Sequence, residues 1–221
     1  MYQPVSALDY FRMLVDDAAS IPLLEAAASL ALDAYPTLDL QSSLAEFDRM
    51  ARRLGDECRH ESTQAGRLKR ALRFFYVTQR FAGNAHAYYD PDNSYLHRVI
   101  ETRRGIPITL AVLFAELAGH VGLEVDGIAF PGHFLLRVNL HEGMVVVDPF
   151  TGRSLDREEL ERRAAPHGVA AERLLHPASP RQILIRMLNN LRSIHASQRD
   201  ADRLEKVLAR LRILEAEPAG R

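Results

Sequence analysis

Between Arg103 and Gly152 the hydrophobic pattern changes from a helical to an extended period, and this switch limits the chain to a fold in which a helix packs on antiparallel strands. Arg104-Gly105-Ile106-Pro107 opens the helix, which runs through Leu110, Leu113, Phe114, Leu117 and Val121 at core-facing spacing and closes near Gly122. Proline suits the first turn, where its missing N–H has no intrahelical partner, and glycine suits the stop. Three extended runs follow, Val125 to Phe130, His133 to Leu140 and Met144 to Val147, rich in β-branched and aromatic residues, with Asn139 to Gly143 as the hairpin connection. His133 starts one strand and Asp148 ends the next. The expected fold class is therefore α+β.

The rest of the chain is helical by pattern. Ala7, Tyr10, Phe11 and Leu14 mark one helix, and Leu23, Leu24, Ala27, Leu30 and Ala31 a second that Pro22 opens. A third is expected over about Ser43 to Glu57 and a fourth over about Thr63 to Phe81. Asp90-Pro91-Asp92-Asn93-Ser94 reads as a turn whose Ser94 caps a helix through Val99 to Thr102. A polar helical stretch spans Asp156 to Ala165. Beyond Pro177-Ala178-Ser179-Pro180, helices over about Arg181 to Ser197 and Ala201 to Glu215 form an αα-hairpin turning at Gln198-Arg199-Asp200. The implied division is a helical region at 1–82, a mixed core at 83–176 and the helical hairpin at 177–221.

Composition removes several classes of function. Lys and Arg total 28 against 29 Asp and Glu, so no long-range field draws nucleic acid or anionic lipid. The apolar runs fall short of a membrane span, and Met1-Tyr2-Gln3-Pro4 lacks the charged start and apolar core of a signal peptide, so a cytoplasmic location is expected. One cysteine, Cys58, rules out an intrachain disulfide or a Cys-based zinc cluster. The nine histidines include no i, i+4 pair, and Gly119 to Gly127 has neither a Walker lysine nor dinucleotide spacing. No metal and no cofactor is expected.

The chemistry concentrates on His133 and Asp148. In thiol enzymes of the transglutaminase and arylamine-transferase type, the nucleophilic Cys lies at a helix N-terminus that stabilises the thiolate. A His relays the proton and an Asp orients the His. Phe130-Pro131-Gly132-His133-Phe134 and Val147-Asp148-Pro149-Phe150 resemble the His and Asp strands of that superfamily, and the helix from Gly105 to Gly122 resembles its nucleophile helix. On the family pattern the Cys place falls on Pro107, which has no nucleophile. Thr109, two residues further in, carries a hydroxyl that suits helix packing.

Asn93-Ser94-Tyr95-Leu96, Arg104 through Leu110, Pro131-Gly132-His133-Phe134 and Asp148-Pro149-Phe150, in this order, resemble the bacterial SirB family of degenerate transglutaminase-like proteins. Arg186-Met187-Leu188-Asn189-Asn190-Leu191 onward to Pro218 resembles the family's tetratricopeptide-like tail. The resemblance implies a transglutaminase-like, papain-like core without its thiol, and a regulatory or protein-interaction role with a protein or peptide partner. The groove is expected to involve Asn93, Ser94, Pro107, Thr109, Gly132 and His133. A second reading is a hydrolase or transferase with His133 as base, Asp148 as orienter and water, Ser94 or Thr109 as nucleophile. His133 and Asp148 also have a purely structural reading, as a pair tying two strands together. A two-residue loop of Leu140 and His141 sets Asp148 opposite His133; a longer loop shifts it by one or more places and can turn it to the other face.

Overall fold

The computed structural model describes residues 5–216; the start at Met1 to Pro4 and the end of the tail at Pro218 lie outside the described residues. The front half is helical, as its periodicity requires. Helix α1 (Ala7–Val15) is capped by Ser6 and followed by α2 (Leu23–Ser29), which continues as a 3-10 turn over Leu30–Asp33. Helix α3 (Leu40–Cys58) begins before the expected Ser43 because Asp39 caps it, accepting from the Ser42 N–H. Helix α4 (Gln64–Leu72), capped by Thr63, does not run on to Phe81 as a regular helix. It widens into a π-helical segment over Arg73–Thr78, closed by the Gln79 N–H on the Phe74 carbonyl at 2.8 Å. The wider turn buries Phe74 and Phe75 side by side and frees the Tyr76 side chain to reach elsewhere.

A parallel pair of two-residue strands, β1 (Ala82–Gly83) and β2 (Arg104–Gly105), brackets a 3-10 turn over Pro91–Ser94 and helix α5 (Leu96–Thr102). Ser94 does not cap α5. It ends the 3-10 turn with its hydroxyl buried, and Tyr95 takes the cap position without a side-chain bond. Glu101 pairs with Arg98, and the Arg104 guanidinium donates to the Arg80 and Arg103 carbonyls.

Helix α6 (Pro107–Gly119) is the central pillar. Every residue from Pro107 to Phe114 is buried, so it is apolar on all sides, as a helix surrounded by protein must be. Against it lies an antiparallel sheet in the order β3 (Glu124–Ile128), β4 (Leu135–Leu140), β5 (Gly143–Asp148) and β6 (Arg153–Leu155). Leu136, Val138 and Val147 face the main core, while Ile128, Leu135 and Val146 join a second cluster with Leu160 and Ala164 of α7 (Arg157–Ala164). Short and polar, β6 gives no strand signal of its own. Its pairing with β5 carries it.

Helices α8 (Pro180–Gln198) and α9 (Ala201–Glu215) form the hairpin, turning at left-handed Arg199 and capped by Asp200. Ile183, Leu184, Met187, Leu188 and Leu191 of α8 enter the same main core as Phe11 of α1 and Leu113 of α6. Buried Arg210 of α9 is paired with Asp33 and lies over the Phe11 ring at 5.6 Å. The architecture is α+β.

Candidate functional site

His133 is carried by a turn and not by a strand, because Phe130-Pro131-Gly132-His133 closes on itself. The His133 N–H donates to the Phe130 carbonyl at 3.1 Å, and Gly132 adopts φ +69°. Pro at the second position and a left-handed Gly at the third are the requirements of a type II turn. Strand β4 therefore begins only at Leu135. From α8, the Arg186 guanidinium donates to the His133 carbonyl at 2.6 Å and the Phe130 carbonyl at 3.3 Å and lies over the Phe134 ring at 5.5 Å.

Asp148 ends β5 and is 4% exposed. Its Oδ1 accepts from His133 Nε2 at 3.0 Å and from the Phe150 N–H at 2.9 Å, and its Oδ2 faces Arg163 Nη1 of α7 at 3.5 Å. The β4–β5 loop is His141-Glu142, with Leu140 opposite Gly143 and Leu136 opposite Val147. The pairing is thus displaced by two from the one that a Leu140-His141 loop sets. An even displacement keeps Asp148 on the His133 face, so the pair forms diagonally. Burial, the largest single influence, pushes the Asp148 carboxyl up. The bond and charge of His133, the Phe150 N–H and Arg163 together outweigh it and hold the carboxyl below the ordinary aspartate value.

With Nε2 engaged by Asp148, His133 Nδ1 is left without a partner among the described residues. The His133 side chain is 24% exposed. This is how a proton-relaying imidazole is arranged: one nitrogen oriented by a carboxylate, the other open to accept a proton.

Of the residues expected around the groove, Gly132 is exposed and His133 partly so, whereas Asn93, Ser94, Pro107 and Thr109 are buried. Pro107 is the first residue of α6. The Thr109 hydroxyl accepts from the Ile106 N–H at 3.1 Å and lies 2.8 Å from the Asn93 carbonyl, to which it donates. It therefore satisfies a backbone donor at the helix start. Asn93 Oδ1 accepts from Asn84 Nδ2 at 2.9 Å, and its Nδ2 donates to the Ala87 and Tyr88 carbonyls. Neither hydroxyl lies at the surface.

Cys58, at the end of α3, is 7% exposed, and burial raises its thiol above the ordinary value, the opposite of an activated thiolate. Among the described residues no group of three or more His, Cys, Asp or Glu is placed to hold a metal ion. No helix among them is long and apolar enough to cross a membrane.

Several site residues escape sequence reasoning. The Tyr76 hydroxyl donates to the Pro149 carbonyl at 3.0 Å and its ring closes over Gly152, pinning the turn after Asp148. Burial, and behind it the charge of Asp148, raises the Tyr76 hydroxyl. The π-helical segment that delivers Tyr76 has no sequence signature. Arg163 reads as one charge among many on a polar helix. Arg186, an arginine between Ile185 and Met187 in an otherwise apolar stretch, offered a faint signal.

Residues 41–189 match the family model described as the transglutaminase-like superfamily. The chain is similar to a UPF0162 protein of Xylella fastidiosa strain Temecula1, with 39% identity over 205 residues, 89% of this chain and 73% of the relative. A UPF0162 protein of Pseudomonas aeruginosa is 31% identical over 202 residues, 90% of this chain and 73% of that one. F-box only protein 21 of Homo sapiens is 34% identical over 128 residues, which cover 54% of this chain but 20% of the human protein. No solved structure matches the chain.

Proposed function

The chain belongs to the transglutaminase-like superfamily and to the UPF0162 proteins within it, and from this premise we propose that it is a thiol-less member acting as a protein-interaction or regulatory protein. Two observations support this reading: the His133–Asp148 hydrogen bond at 3.0 Å, and a proline as the first residue of α6, the position at which the family resemblance expects the nucleophile. Thr109 and Ser94, the hydroxyls considered as replacements, are buried, and Thr109 is committed to backbone bonds. A hydrolase or transferase reading is then left with water as its nucleophile.

In this proposal the open side of His133 and the exposed turn at Gly132 form a groove that holds a peptide segment of a partner, and the protein works in the bacterial cytoplasm. The order of motifs from Asn93 to Phe150 supports placing it with the SirB proteins. The αα-hairpin of α8 and α9 supports a tetratricopeptide-like tail.

The test is site-specific photo-crosslinking in cells with a photoreactive phenylalanine analogue at Tyr89, which is 77% exposed and packs on Tyr88, whose ring lies 6.1 Å from that of Phe150, or at Met13, 69% exposed on α1. A discrete protein adduct at position 89 and not at 13 is expected. Failure to capture a partner at 89, together with turnover of peptide amides that His133→Ala abolishes, contradicts the proposal and favours the water-dependent hydrolase.

A further inference from the structure

Deepening the reading of the groove as a peptide site, we propose that its occupant is acidic: a peptide carboxylate held by Arg186 between His133 and the aromatic pair Tyr88–Tyr89. Arg186 is half-buried, and its bonds among the described residues are Nη2 donations to the Phe130 and His133 carbonyls. Its Nε and Nη1 donors have no partner there. Carbonyls orient a guanidinium but do not neutralise it. Arg137 has Asp126, and Arg163 has Glu159 and Asp148; Arg186 has no carboxylate among the described residues. A desolvated cation with spare planar donors beside an open turn is complementary to a carboxylate, which it binds by charge-assisted hydrogen bonds.

The walls suit a peptide. Tyr88 and Tyr89 are 42% and 77% exposed, with their rings 5.3 Å apart at 78°. Tyr88 lies 6.1 Å from the ring of Phe150, whose N–H holds Asp148, and its hydroxyl is within electrostatic reach of Arg186. Tyr88 is thus linked to the dyad through Phe150 on the Asp148 side and through Arg186 on the His133 side. The loop carrying it is fixed in advance, since Asn84 and buried Asn93 bond to one another and Asn93 holds the Ala87 and Tyr88 carbonyls at 2.6 and 3.2 Å. Exposed aromatics on a fixed loop beside an arginine supply contact area at little ordering cost, the usual composition of an interaction hot spot.

The experiment titrates the full chain, by fluorescence anisotropy, into three labelled pentapeptide pools with randomised flanks. One has a central Glu and an amidated end, one a central Gln and an amidated end, and one a central Gln and a free C-terminal carboxylate. Tighter binding of the Glu pool by about tenfold or more over the amidated Gln pool is expected. The preference should vanish in Arg186→Gln and survive in part in Arg186→Lys, with circular dichroism confirming that each variant is folded. A preference for the free-terminus pool alone supports the same carboxylate chemistry and assigns it to a chain end. Tyr89→Ala, at an exposed position, should weaken all pools alike. Equal binding of Glu and amidated Gln pools, lost in Tyr89→Ala, overturns the acidic occupant while leaving the groove as a peptide site. A Glu preference that persists in Arg186→Gln, or no binding of any pool, overturns it too, and crosslinking at Tyr89 then decides separately whether the groove holds a partner.

Discussion

Replacing Asp148 with asparagine changes charge while keeping shape, and the structure sets the size of the effect. The carboxylate accepts at 3.0 Å from His133 and at 2.9 Å from the Phe150 N–H, both of which an amide oxygen can also receive. Each bond then falls from the charge-assisted range of about 1.5–3 kcal/mol to a neutral one of about 1 kcal/mol. Arg163, at 3.5 Å and 31% exposed, adds about 0.5 kcal/mol at most. Relief of the burial cost of the charge offsets part of this, leaving a net loss of about 1–2 kcal/mol at pH 7, or about 2–8 °C in Tm for a chain of this size. The folded carboxyl titrates below its ordinary value of 3.8. The stabilisation is therefore fully present above that value and is lost as pH falls through the lower folded one. Urea unfolding followed by circular dichroism at pH 7, with thermal scans down to pH 3, should show a gap between wild type and Asp148→Asn that narrows below about pH 4. An Asn variant as stable as wild type at pH 7 refutes the reasoning, because burial would then outweigh the dyad's bonds. A gap unchanged at pH 3 refutes it differently, by removing charge as the cause.

Thr109→Val keeps volume but deprives the buried Ile106 N–H and Asn93 carbonyl of their partner, so urea unfolding should report a loss of about 1–3 kcal/mol. Cys58 should react with a disulfide reagent at pH 8 more than about a hundredfold slower in the native protein than in urea, because burial both shields the thiol and disfavours its thiolate.

The sequence reveals the helices well where caps and periodicity agree. Ser179 starts α8 and Asp200 starts α9 through local bonds that their residue types announce. The π-helical segment over Arg73–Thr78 is not legible, because the aromatic run Phe74-Phe75-Tyr76 satisfies a regular helical pattern equally well. Strand β6 is not legible because its stability comes from pairing with β5. At the site, the His133–Asp148 juxtaposition depends on a register that turn residues alone leave open, and tertiary packing chose the His141-Glu142 loop. The burial of Asn93 and Ser94 is equally tertiary. Polar residues in a turn cluster read as surface, but this turn packs beneath the start of α6, and the Thr109 hydroxyl and the Asn84 amide meet the polar groups of Asn93 there.

The central proposal is that the start of α6 and the dyad together keep the frame of a thiol enzyme from which the thiol is missing. Pro107→Cys tests it most directly, with iodoacetamide alkylation rates followed by intact-protein mass spectrometry from pH 5 to 9, alone and combined with His133→Ala. A restored thiolate–imidazolium pair should titrate the introduced thiol below the free-cysteine value of about 8.5, giving rapid labelling at pH 6 that His133→Ala abolishes. An introduced thiol that titrates at or above the free value, or whose reactivity ignores His133, would contradict the account.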